Sequence, residues 1–329
     1  MTVGTSRVRV RAVSGTPVRV IYLGGLGRSG TTLIERLLAE IPGMCAAGEV
    51  VHLWQRGLAE GERCGCGEPF GACGFWTRVG QAAFGGWDQV SVGRIAELRQ
   101  AVDRTRYVPR LARGSLSGPT SQRLADYTSY YLRLYQAIAE TGPCRAVIDS
   151  SKHASLAFCL AKRPEIDLRV IHVIRDSRAV AYSWASKVER PDSVTRTYMT
   201  TYSPVRAAGQ WNAENGAFQI LARSGVPVLR VRYEDLVGAP ERLIREMAIF
   251  AGLPGDLDLD FIGNDGHERW ARLRPAHTAS GNPIRFATGT LAIRGDERWR
   301  SAMPEGQRRI VTAITLPLLS HYGYVGLRS

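Results

Sequence analysis

Apolar positions follow two rhythms that alternate along the chain. Residues 18–24, VRVIYLG, form a nearly unbroken apolar run of strand length. After a glycine-rich break, TTLIERLLAEI sets Leu33, Ile34, Leu37, Leu38 and Ile41 along one helical face, and Pro42-Gly43 stops it. The exchange then repeats. MCAAGEV predicts a short second strand, and RAVIDSS, LRVIHVIRD and VPVLRVRYEDL predict three more. Helical periodicity predicts helices over residues 121–142, 153–164, 177–188, 205–225, 239–253 and 304–323. Residues 54–121 carry many Gly, Arg and turn signals with one helical patch near 91–103, and read as an irregular excursion or cap. Residues 1–17 read as a disordered basic tail, which leaves one domain over residues 18–329.

Strands that alternate with helices predict an α/β fold, a central parallel sheet flanked by helices. Ligands in such sheets bind beyond the carboxyl ends of the strands. Five loops therefore need inspection: those after Leu23, near Glu49, after Ile148, after Ile174 and after Val231.

Charge narrows the classes of ligand. The net charge is +13 over 329 residues, carried almost wholly by arginine, since Lys152, Lys162 and Lys187 are the only lysines. Such an excess suits an anionic ligand, a nucleic acid or an acidic membrane surface. No basic block with interleaved aromatics and no zinc-finger or RRM signature is present, which argues against nucleic acid. No apolar run reaches the ~20 residues of a membrane span. The basic N-terminal stretch lacks the apolar segment of a signal peptide. The expectation is a soluble cytoplasmic protein, with the choice between monomer and homodimer open. Cys64, Cys66 and Cys73 cluster in RCGCGEPFGACGFW, but no fourth ligand stands nearby, His52 being the one close histidine. They read as buried structural thiols in a glycine-rich loop, with no metal, over the alternative of part of a zinc site.

The first loop, GGLGRSGTT, has the spacing G-x-x-x-x-G from Gly25, followed by Thr31 and Thr32 where a Walker A loop has Lys and Ser/Thr. Its backbone amides and the positive end of the next helix suit a phosphate, and Arg28 adds a bidentate cation. Glu49, in AAGEVV, is a carboxylate beside a polyanion site, as a general base would be; His52 is the alternative base. Lys152, directly after a strand, suits charge on a leaving phosphate. Arg175 ends its strand, and Ser183 follows eight residues later on a helix, so the two suit one phosphate. Tyr233 suits a base or the core. SGNPIRFATGTLAIRGDERW, with Asn282, Arg285 and Arg294, suits a segment folded over a nucleotide.

In this order the loops resemble the PAPS-dependent sulfotransferase family, which moves a sulfonate group from 3′-phosphoadenosine 5′-phosphosulfate to a hydroxyl or amine. GRSGTTL looks like the signature that binds the 5′-phosphosulfate, which implies roles for Gly27, Arg28, Ser29, Gly30, Thr31 and Thr32. Arg175 and Ser183, in the arrangement R-D-x-R-x-x-x-x-S, match the signature for the 3′-phosphate. Arg28 and AAGEV are similar to the carbohydrate and protein-tyrosine branches rather than the phenol branch, which implies Glu49 as base. The resemblance implies PAPS as donor, PAP as product, no metal, and an acceptor hydroxyl on a small molecule, sugar or natural product. It also makes sense of the missing Walker lysine, because a sulfonate needs less neutralisation than a γ-phosphate. The alternatives are a P-loop kinase or NTPase using Mg-ATP, with Asp149 as the best Walker B carboxylate, and a non-catalytic nucleotide or RNA binder.

Overall fold

The computed structural model describes residues 15–114, 116–187, 189, 198, 200–266 and 268–325. Most of the expected tail, residues 1–14, lies outside the described residues, as does most of residues 188–199.

Five parallel strands form the central sheet: β1 Val18–Gly24, β2 Met44–Gly48, β3 Ala146–Lys152, β4 Ile166–Ile174 and β5 Val228–Arg232, in the order β2-β3-β1-β4-β5. β1 lies at the centre. Its side chains alternate between two cores, Val20 and Tyr22 in one, Ile21 and Leu23 in the other, all fully buried. A strand covered on both faces has no polar side, which is why VRVIYLG is a run rather than an alternation. Each such aliphatic side chain contributes roughly 1.5–3 kcal/mol by its burial. The helices Gly118–Glu140 and Ala154–Leu160 feed the first core, and Thr31–Leu38 and Pro240–Phe250 the second. No helix among the described residues is long and apolar enough to cross a membrane.

Three expectations need correction. Residues 54–121 are not irregular. They hold the helices Gly74–Phe84, Val92–Val102 and Val108–Arg113, after a π-helical turn over Leu53–Ala59. Trp54, Phe70, Trp76, Ile95 and Leu98 are buried there in the same core as Tyr127 and Tyr131. Glycines at 80, 85, 86 and 93 break up the helical signal in this stretch. Second, the fifth strand stops at Arg232, and Tyr233–Gly238 is a helix, so Tyr233 opens a helix instead of extending a strand. Third, residues 262–293 contain a small antiparallel sheet, β6 Ile262–Asn264, β7 Arg269–Leu273 and β8 Gly289–Ile293. It lays Ala271, Leu273 and Ile293 on the second core.

Between β7 and β8 the chain runs as a strap, residues 274–287, across the carboxyl end of β2. Long-range bonds hold it. The fully buried Arg36 donates to the carbonyls of Arg274 and Ala287. The Glu40 carboxylate accepts from the Arg274 amide at 2.9 Å and its Nε at 2.8 Å. The Ala279 amide donates to Ala47 O at 2.9 Å, the Glu49 amide to Ser280 O at 3.2 Å, and the Gly65 amide to Thr278 O at 2.9 Å. Through this strap His277 joins Cys64, Cys66 and Cys73, with ligand atoms of all four within 4.8 Å of one another. A fourth candidate ligand, absent from the sequence nearby, thus stands 204 residues beyond Cys73.

Candidate active site

The loop after β1 turns back through three residues of positive φ, Gly25, Arg28 and Gly30. Among the described residues, Arg28 (φ 75°) and Lys152 (φ 73°) are the non-glycine residues with such a backbone. Both stand in this site, where strain of this kind tends to concentrate. Gly30 (φ 95°) caps the helix Thr31–Leu38 without a side chain, and a Cβ there would meet the Tyr233 ring at 2.3 Å. The first amides of a helix have no intrahelical acceptor. This helix also has no acidic residue in its first turn, so its positive end faces the loop uncompensated. Thr31 Oγ1 is buried with no protein partner among the described residues. Together they make an anion cradle with vacant donors.

The cradle opens into a cavity of about 640 Å³, within the usual range for ligand pockets. Gly27, Arg28, Gly30, Thr31 and Thr32 line it from the loop; Glu49, His52 and Lys152 from the ends of β2 and β3; Arg175, Ser183 and Tyr233 from the other side; Asn282 from the strap. Ser29 is buried inside the loop and does not line it. Two residues expected at the nucleotide, Arg285 and Arg294, do not line the cavity. Arg285 is 1% exposed, donates to Thr278 O at 3.1 Å and serves the strap. The Arg294 side chain is 79% exposed and sits 3.8 Å from Glu268. Sequence reasoning missed Arg56, Trp184 and Glu214, which also line the cavity. The π-helical turn that presents Arg56 has no sequence signature, though such turns gather at functional sites.

Glu49 and Lys152 form a direct ion pair, with side chains 12% and 13% exposed. Burial pushes the Glu49 carboxyl up, but the Lys152 ammonium, with His52 and Arg56, outweighs it and holds the group at about 2. His52 Nε2 lies 3.6 Å from Glu49 Oε2. Burial drives the His52 imidazole well below its ordinary value against the pull of Glu49, so it is neutral near pH 7. Glu35 sits behind the pair, accepting from the Gly48 amide at 2.7 Å and Ser150 Oγ at 2.8 Å. Complete burial raises its carboxyl to about 7, against those bonds and Lys152.

Arg175 is turned into the cavity because Asp176 is engaged elsewhere: its carboxylate caps the helix Ser177–Ala185 and pairs with Arg178 at 2.6 Å. The Arg175 guanidinium donates to Arg28 O at 3.1 Å and Asp296 O at 3.0 Å, and lies 4.9 Å over the Tyr233 ring. Trp184 Nε1 donates to Gly27 O at 2.9 Å, while its ring stacks on Tyr202 at 4.4 Å and carries Arg28 at 5.4 Å. Asp149 does not line the cavity. It is fully buried and accepts from Tyr135 Oη at 2.5 Å and the Ser151 amide at 2.7 Å. A Walker B carboxylate must face a magnesium ion, so the kinase alternative loses its best residue.

The fold is a parallel α/β sheet whose first strand runs through a glycine-rich loop into a helix, with Thr31 where a Walker loop has lysine. The sulfotransferase domain model matches residues 20–262, and the chain belongs to that family. Carbohydrate sulfotransferase 3 of Homo sapiens is 30% identical over 178 residues and that of Mus musculus 28% over 177. Each match covers 50% of this chain and 35% of the relative, so the chain spans about a third of the length of these relatives. Among solved structures, the sulfotransferase domain of the Synechococcus PCC 7002 olefin synthase covers 92% of this chain and 95% of its own, with 19% identity and a TM-score of 0.48. The sulfotransferase STF1 of Mycobacterium tuberculosis covers 73% of this chain and 68% of its own, with 18% identity and a TM-score of 0.38.

Proposed function

We propose that this protein transfers the sulfonate group of PAPS to a hydroxyl of a sugar, small molecule or natural product. The observation that carries the reading is the junction of an anion cradle, a buried Glu–Lys pair and Arg175 with Ser183 in one cavity. When bound, PAPS supplies the sulfonate, whose S–O bond to the 5′-phosphate breaks as a new S–O bond to the acceptor oxygen forms. The loop amides, the hydroxyls of Thr31 and Thr32, and Arg28 hold the 5′-phosphosulfate end. Arg175 and Ser183 grip the 3′-phosphate, the group that distinguishes PAPS from adenosine phosphosulfate. No protein residue is modified, and no metal is needed for the transfer.

Glu49 receives the acceptor proton. At a pKa of about 2 it is a poor base while Lys152 holds it. The negative charge of the donor draws the Lys152 ammonium from Glu49 toward the leaving phosphate. One exchange then stabilises the leaving group and returns basicity to Glu49, where the acceptor proton goes. Neutral His52 orients the carboxylate. The helices of residues 54–121 form the acceptor side, a role supported by Arg56 and Thr105 on the cavity wall. The similarity to carbohydrate sulfotransferases makes sugars the first acceptors to try.

Incubation with PAPS labelled in its sulfonate and a panel of hydroxylated acceptors tests the proposal. Label should pass to an acceptor with equimolar release of PAP. Transfer of a phosphoryl group from ATP instead would refute it.

A further inference from the structure

We infer that Cys64, Cys66, Cys73 and His277 form a structural zinc site. This assignment stands apart from the transfer reaction. Cys66 Sγ and Cys73 Sγ lie 3.8 Å apart, Cys73 Sγ and His277 Nδ1 3.3 Å, and Cys64 Sγ and His277 Nδ1 3.8 Å. A tetrahedral zinc ion, with Zn–S near 2.3 Å and Zn–N near 2.0 Å, sets its ligand atoms about 3.5–3.8 Å from one another. These three separations fall close to that range, and all four ligand atoms lie within 4.8 Å of one another, near enough for one ion to draw them together. They are far from the ~2.0 Å of a disulfide, and all the cysteines are free thiols.

The surrounding backbone is arranged for this convergence. Residues 63–69 fold back on themselves: Arg63 bridges to Pro69, the Cys64 amide donates to Glu68 O at 2.8 Å, and the Gly67 amide to Cys64 O at 2.8 Å. That turn brings the C-x-C thiols together. Cys73 caps the helix Gly74–Phe84 and adds the third thiol. Gly65 lies so close to the strap that a Cβ would meet Thr278 Oγ1 at 2.3 Å. Phe75 stacks flat on the His277 ring, with centroids 5.0 Å apart and an angle of 9°, which fixes the imidazole plane.

All four positions are protein ligands, so the ion has no open place for water or substrate and its role is structural. It fastens residues 63–74 to the strap. The strap carries Gly281, Asn282, Pro283 and Ile284 on the cavity wall. The ion therefore holds one wall of the active cavity to the acceptor-side helices.

Metal analysis of the full chain, expressed with ample zinc and purified without chelator, tests the inference. About one zinc per chain is expected. Cys64→Ser, Cys73→Ser and His277→Ala should each lower this below a tenth, whereas His277→Cys should retain zinc. Co²⁺ exchanged into the wild-type chain should show the intense visible bands of a tetrahedral thiolate site. Should a serine variant fail to fold, the wild-type zinc count and cobalt spectrum decide alone. A folded wild-type chain without stoichiometric zinc that also binds no Co²⁺ would overturn the site. So would iron in place of zinc, or full zinc content in the Cys64/Cys66/Cys73→Ser triple variant.

Discussion

The active cavity has two walls made by opposite means. The donor wall is nearly contiguous in sequence: one strand, one glycine turn and one helix N-terminus present Gly27 to Thr32 within a few residues. The strap wall has no local logic. Residues 274–287 are held by Arg36, Glu40, Ala47, Gly65 and the cysteine cluster, all more than two hundred residues away in sequence. A cradle made of backbone donors needs a short, strained loop, and its order of residues is its geometry. A strap needs only anchors, and anchors can come from anywhere in the chain. Substitutions on the first wall should therefore alter donor binding and chemistry, and those on the second should alter stability and acceptor use.

Glu49 lies where the walls meet, its amide on the strap and its carboxylate on Lys152. Glu49→Gln should show the largest effect, a fall in kcat of ~10²–10⁴ with PAP affinity little changed, since general-base catalysis is worth about that much. Steady-state kinetics beside PAP titration calorimetry would separate the two; lost PAP affinity with normal turnover would return Glu49 to a structural role. The pH profiles sharpen the same point. With Glu49 at about 2 in the free enzyme, kcat/KM should lack an acidic limb from it near pH 4–5. Once the donor draws Lys152 away, the Glu49 pKa rises, so the acidic limb of kcat should lie at higher pH than that of kcat/KM.

On the strap wall, Arg36→Leu should come next. It strips donors from the partly buried carbonyls of Arg274 and Ala287. At 1–3 kcal/mol for each unsatisfied group, a loss of about 2–4 kcal/mol in urea unfolding is expected. Affinity for PAP should persist in the folded fraction. A variant as stable as the wild type would mean that the strap is held by its other anchors.

Arg175→Ala should weaken PAP binding by roughly 10–100-fold, the value of a charged hydrogen-bonding group at ~1.5–3 kcal/mol. Binding of adenosine 5′-phosphosulfate, which lacks the 3′-phosphate, should change far less. Equal losses for both ligands would mean that Arg175 acts by bracing Arg28 O rather than by reading the 3′-phosphate.

The smallest expected effect is behind the donor wall. The Glu35 carboxyl is raised by burial to about 7, so the folded chain binds more protons than the unfolded one between about pH 4.5 and 7. Stability from this group is thus present at low pH and lost as pH rises through 7, by about 2 kcal/mol between pH 5 and 7. Glu35→Gln should flatten that slope in unfolding measured at the two pH values. An unchanged slope would place the titration elsewhere.

The same contrast explains what the sequence reveals. β1, its loop and the helix after it are legible because burial on both faces, glycine spacing and helical periodicity all act over neighbouring residues. Arg28, Glu49, Lys152 and Arg175 follow, since each stands at or shortly past the carboxyl end of a strand, and Ser183 follows on the helix after β4. Arg285 and Arg294 suit a phosphate by residue type, while the strap turns Arg285 inward and Arg294, just past β8, stands in solvent. The helices of residues 54–121 are obscured by glycines, although Trp54 and Trp76 are core residues. His277 is invisible beside Cys73 because only the strap brings them together.

Thermal stabilisation of the chain by PAP, ADP and ATP, with and without added Mg²⁺, tests the central claim most directly. A ligand at 100 times its Kd adds about 2.7 kcal/mol of stability. The account predicts strong stabilisation by PAP without added metal and little by ADP or ATP. Stabilisation by ATP only in the presence of Mg²⁺, with none by PAP, would contradict it.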